Sequence, residues 1–86
     1  MSEMFVNYEF ATWRHVVNLR IGPGPVETIR GPGEALGYLN GRWPEKAGPY
    51  MDAARRKCLW ALENRTASEE AREVFMAAAI EARLLA

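Results

Sequence analysis

The chain has 86 residues, one cysteine, one histidine, and eleven basic against eleven acidic side chains. That is the length of one small domain, with no second thiol for an internal disulfide and too few soft ligands for a four-ligand zinc site. Balanced charge argues against nucleic acid or an anionic membrane as the main partner, and no apolar run approaches the roughly 20 residues of a membrane helix.

Residues 1–13 carry Phe5, Tyr8, Phe10 and Trp13 without a clean period of two. They read as an N-terminal arm or edge strand that docks on something, because a run this aromatic is seldom left solvated. Residues 14–86 read as a single α+β domain. From His15 to Ile21, Val17, Leu19 and Ile21 alternate with Val16, Asn18 and Arg20, the period of a half-buried strand. Gly22-Pro23-Gly24-Pro25 breaks it. Pro23 and Gly24 suit the centre of a type II turn, with the positive φ at Gly24. Val26 to Arg30 resumes as the second strand of an antiparallel hairpin.

Gly31-Pro32-Gly33 opens a short helix over about 33–42. Ala35, Leu36, Leu39 and Trp43 lie on one side of it, and Pro44 stops it. A second helix runs from Pro49 to about Glu63 with Met51, Ala54, Cys58, Ala61 and Leu62 as its apolar stripe. Thr66 then reads as an N-cap, completed by Glu69 as a capping box. The last helix carries Ala71, Val74, Phe75, Ala78, Ala79, Ala82 and Leu85 on one face. On its opposite side, where polar residues are expected, stand Met76, Ile80 and Leu84 at i, i+4, i+8. A helix apolar on two sides is either centrally buried or shared with a partner. The predicted architecture is a small antiparallel hairpin sheet packed by three helices, in the order ββααα, with the last helix the longest.

The segments Glu34-Ala35, Trp43-Pro44, Gly48-Pro49-Tyr50, Ala54, Cys58, Ala61-Leu62, Glu70-Ala71-Arg72, Phe75, Ala78-Ala79 and Glu81-Ala82 together resemble domain-of-unknown-function family 982. The likeness spans roughly residues 14–83. It implies a short α+β domain of a bacterial cytoplasm with no established activity, and it transfers no catalytic residue.

Candidate chemistry is sparse. His15 stands at a strand entry without a second histidine or an acid partner in sequence. Cys58 shares its face with Met51, Ala54 and Leu62 and reads as a small buried hydrophobe. The glycines at 22, 24, 31, 33 and 37 lack the lysine-serine or lysine-threonine pair of a phosphate loop and read as turns. Glu69-Glu70 favour a helix N-terminus. No catalytic residue, metal ligand or cofactor site is expected, and an enzyme is the least supported class.

Three binding roles follow. The first is a homodimer, or a contact with another protein, through Met76, Ile80 and Leu84. The second is weak nucleic-acid binding through Arg55-Arg56-Lys57, with Arg42, Arg65 and Trp60 nearby. The third is a small-ligand pocket lined by Phe10, Trp13, Trp43 or Tyr50. Were Trp43, Arg42, Trp60 and Arg56 exposed together, they would form a recognition surface, because tryptophan and arginine are enriched at interface hot spots.

Overall fold

The computed structural model describes residues 12–44 and 48–86. The arm expected over residues 1–13 therefore falls outside the described residues up to position 11, and Phe10 with it. Two strands form an antiparallel hairpin, β1 (Val17–Arg20) and β2 (Val26–Ile29), and three helices follow: α1 (Pro32–Gly41), α2 (Pro49–Glu63) and α3 (Glu69–Glu81). The α+β order ββααα is thus the observed one.

In the hairpin Val17 faces Ile29 and Leu19 faces Glu27. Val17, Leu19 and Ile29 are buried against the helices, while Asn18 and Arg20 point away. Pairing is shorter than the alternation predicts. Two residues ahead of β1, His15 is exposed, and the N–H of Trp13 donates to the Arg30 carbonyl at 2.7 Å as the chain leaves the hairpin. The connecting loop bends at Gly22, whose φ is 65°. The positive φ expected at Gly24 is taken here instead, one step ahead of Pro23, whose own ring locks φ near −65°.

Helix α1 starts from an extended Gly31 with Pro32 as its first residue. No side chain caps it from the N-cap position, but Glu34 reaches back and accepts from the Arg30 N–H at 2.8 Å. Pro32, Ala35 and Leu39 are buried. Helix α2 has the predicted bounds, and its Ala54, Cys58 and Ala61 are fully buried. It ends in a Schellman motif with an arginine where glycine is usual: Arg65 has φ 53°, the Arg65 N–H donates to Leu62, and the Thr66 N–H donates to Ala61.

That motif moves the next helix start. With its N–H committed to α2, Thr66 is not the N-cap of α3; Ser68 is, its Oγ accepting from the Ala71 N–H at 3.1 Å. Glu69 pairs with Arg72 at 2.7 Å instead of closing a capping box.

The end of α3 differs most from the sequence pattern. The apolar period continues through Leu84 and Leu85, yet the helix stops at Glu81 and Arg83 turns to φ 60°. A second Schellman motif forms, with the Arg83 N–H donating to Ile80 and the Leu84 N–H to Ala79. The tail then lies along β1. Leu85 bridges Leu19, the Arg20 N–H donates to Leu84, and the Ala86 N–H donates to Asn18. So α3 has 13 residues and α2, with 15, is the longer helix, the reverse of the prediction. The extra apolar turn expected of α3 closes the sheet edge instead.

Phe75 is the hub of the core. It is fully buried, and its ring lies 5.8 Å from that of Trp13 and 5.4 Å from that of Trp43.

Candidate interaction surface

The seam between α2 and α3 is lined by Ala54, Cys58 and Ala61 on one helix and Ala71 and Ala78 on the other, all fully buried. Small side chains let two helices approach closely. Larger apolar residues are then left no room in the seam and stand outside it. Trp60 and Tyr50 on α2 are 54% and 51% exposed, and Ile80 on α3 is 57% exposed.

Two contacts fix how the helices lie. The Tyr50 N–H at the start of α2 donates to the Glu81 carboxylate at the end of α3, at 3.2 Å. Lys57 in mid-α2 pairs with Glu70 near the start of α3, at 3.0 Å. The helices are therefore antiparallel neighbours. Glu81 sits unfavourably at its own helix C-terminus but favourably at the N-terminus of α2, where it supplies the acceptor that the extended Gly48 cannot. A Cβ on Gly48 would run into that carboxylate, so a larger residue there would displace Glu81 from this contact.

Arg56, Lys57, Trp60 and Glu70 border one open cleft of about 330 Å³. Of the basic triplet, Arg55 pairs with Asp52 at 3.4 Å and Lys57 with Glu70, which leaves Arg56 as the member without an ion pair among the described residues. The cleft thus carries both signs of charge beside an exposed indole.

The four residues expected to form one recognition surface are split. Trp60 and Arg56 share the α2 cleft. Arg42 belongs to a different cluster, in which its guanidinium grips the Glu27 carboxylate with two hydrogen bonds of 2.5 and 2.8 Å and lies 5.0 Å over the Tyr38 ring. The Tyr38 hydroxyl donates to the same carboxylate at 2.5 Å. Two donors on one carboxylate hold Glu27 below the usual carboxylate range, with the Arg42 hydrogen bond as the main cause and that of Tyr38 second. The Tyr38 hydroxyl is raised, chiefly because its proton is held by Glu27. This clamp ties β2 to α1. Its α1 half, Tyr38 and Arg42 at i, i+4, is readable as a helix pair; Glu27 is not, being a strand residue eleven positions from Tyr38.

Trp43 is half-buried and packs on Phe75 with Trp13. These two candidates for an aromatic pocket fill the core, and neither indole N–H has a hydrogen-bond partner among the described residues. Tyr50 stands apart from them on the first turn of α2. Of the three residues expected as one apolar stripe, Ile80 is exposed, Met76 is half-buried, and Leu84 is buried at 6% exposure, beyond the end of the helix. The stripe is therefore a single outward residue with a partly covered neighbour. Cys58 is buried as read, and burial pushes its thiol up to about 12. A thiol so hard to ionise is a poor nucleophile. Among the described residues no helix is long and apolar enough to cross a membrane.

The family model described as "Protein of unknown function (DUF982)" matches residues 15–86, which include both strands, all three helices and the tail. The chain belongs to this family. Neither a curated protein nor a solved structure matches it. In this DUF982 chain α2 and α3 carry the three most exposed large apolar side chains among the described residues, and one of them, Trp60, borders the two-signed cleft.

Proposed function

We propose that the chain is a non-enzymatic interaction module whose working surface is the outer side of α2 and α3. One observation carries this reading: Trp60, Tyr50 and Ile80 stand more than half exposed on a helix pair whose inner seam is filled by alanines and Cys58. Tryptophan is costly to leave in water and is a favoured anchor of protein contacts. The surface is that expected from the last helix, moved: Ile80 remains, Leu84 leaves, and Trp60 with Arg56 joins from α2. The reading places the module in a bacterial cytoplasm. Nucleic-acid binding through Arg55–Lys57 draws less support, because two of those three cations already face carboxylates and binding to phosphates depends on cations free to displace counterions.

A position-specific photo-crosslinker tests the surface in the producing cell. Placed at Trp60 or Ile80 it should give protein adducts; placed at Asn40, an exposed residue of α1, it should give far fewer. Equal yields at all three sites, or none at the first two, would end the proposal.

A further inference from the structure

We infer that the occupant of this surface is a second copy of the same chain, seated so that α2 of each copy lies over α3 of the other. The inference rests on the interaction surface proposed above and adds its partner and its symmetry. Lys57 and Glu70 pair with each other across the two helices of one chain; beside them Arg56 on α2 and Glu73 on α3 are exposed, with the exposed Asp52 and Glu63 one turn before and two turns after Arg56 on α2. Neither Arg56 nor Glu73 makes an ion pair among the described residues. The chain as a whole has no net charge, so two copies meet without long-range repulsion.

Two helices side by side can face a copy of themselves about two kinds of two-fold axis. With the axis across the helices at the level of Arg56 and Glu73, α2 lies on the partner's α2, and Arg56 meets arginine while Glu73 meets glutamate. With the axis along the helices, α2 lies on the partner's α3. Tyr50 is level with Glu81 and Lys57 with Glu70, which puts Arg56 within about one helical turn of the level of Glu73. The second axis therefore sets Arg56 against the partner's Glu73, twice by symmetry, as an isologous contact requires. It also carries Trp60 over the first turns of the partner's α3 and Ile80 over the first turns of the partner's α2, where Tyr50 is exposed. The first arrangement opposes like charges at that level, whereas the second keeps every level unchanged and so sets opposite charges together by symmetry alone. The patch is only about 22 Å long, the length of a 15-residue helix, so the dimer belongs to the weak, concentration-dependent class.

Sedimentation equilibrium of the full chain, with circular dichroism to confirm folding, tests this. The wild type should show a monomer–dimer equilibrium that weakens with salt, because the paired charges lie at an open rim. Arg56→Glu and Glu73→Arg should each weaken self-association by about tenfold or more. Mixed in equal amounts, the two variants should recover wild-type association. In the heterodimer one contact has both of its charges reversed and so stays attractive, and the other contact keeps the native Arg56 and Glu73. A wild type that stays monomeric at about 1 mM overturns the inference; adducts to a different protein at Trp60 would then still support the interaction surface. A dimer whose two variants fail to complement each other overturns it as well, because its two-fold axis lies elsewhere.

Discussion

The junction of the hairpin with α1 and the seam of α2 with α3 are held together by different means. At the first, a two-stranded sheet has little apolar area to offer, and a charged clamp of Glu27, Tyr38 and Arg42 supplements it. At the second, alanines and Cys58 fill the interior, and the polar contacts of Tyr50 with Glu81 and Lys57 with Glu70 stand at its edges. The contrast explains where the exposed surface lies. A seam of small residues leaves no room for large ones between the helices, so those that do not point into the core, as Phe75 does, stand outside it. Trp60, Tyr50 and Ile80 are exposed because Ala54, Cys58, Ala61 and Ala78 are inside.

The most disruptive test strikes the point where the two regions meet. Phe75 touches both Trp13, beside the hairpin, and Trp43, beyond α1, from within α3. Phe75→Ala should cost about 3–5 kcal/mol, enough in a domain this small to leave much of the chain unfolded by chemical denaturation at 25 °C. A loss below about 1 kcal/mol would mean that the regions are stabilised independently.

Glu81→Ala comes next and acts on the helix pair alone. Loss of the acceptor at the start of α2 should cost about 1 kcal/mol and speed hydrogen exchange at the Tyr50 amide. The Trp13 amide, at the hairpin, should keep its protection. If both amides change together, the two regions do not open separately.

Arg65→Gly should act in the opposite direction. At φ 53° an arginine strains its Cβ, and glycine does not. After subtraction of the glycine's larger unfolded-state entropy, a gain of about 0.5–1 kcal/mol in thermal or denaturant stability is expected. No gain would show that the Arg65 side chain contributes as much as its backbone costs.

The mildest test separates the regions by pH. Glu27 has a lowered pKa, so the clamp contributes stability above the ordinary carboxylate value and loses it as pH falls through the lower folded value. Tyr38 has a raised pKa, so its contribution is complete below the usual tyrosine range and is lost as pH rises past it. The buried interior of the α2–α3 seam holds Cys58, whose contribution is present below the ordinary thiol value and fades toward about 12, while the Glu70 and Glu81 carboxylates stand at its edges. As pH falls through the lowered Glu27 value, amide exchange should therefore rise at the hairpin–α1 junction, while amides around Ala54 and Cys58, in the carboxylate-free interior of the seam, keep their protection. Glu27→Gln should remove that acid sensitivity. Simultaneous loosening of both regions would contradict the division.

Much of the scaffold was readable from the chain itself. Pro49 begins α2, Trp43-Pro44 lies just past the end of α1, and the period of Ala54, Cys58 and Ala61 marks the buried side of α2. These are local signals: a locked φ, a missing N–H, or a spacing that repeats on one helix. The candidate surface was half readable. Ile80 stood out because it broke the expected polar side, while Trp60 and Arg56 were grouped with Arg42 and Trp43, residues that packing sends to other places.

What the sequence alone determined is the order of elements, the start of β2 and of α2, and most of the residues that fill the core, because each depends on its neighbours along the chain. Only the tertiary structure decided how α3 ends and what Leu84 becomes. An arginine at φ 60° costs roughly 1–2 kcal/mol by itself, and nothing nearby in sequence announces it. Four backbone hydrogen bonds offset that cost, two closing α3 and two joining the tail to β1. The last two are made to residues more than sixty positions away, so the apolar period could not reveal that Leu84 turns inward and leaves Ile80 outside.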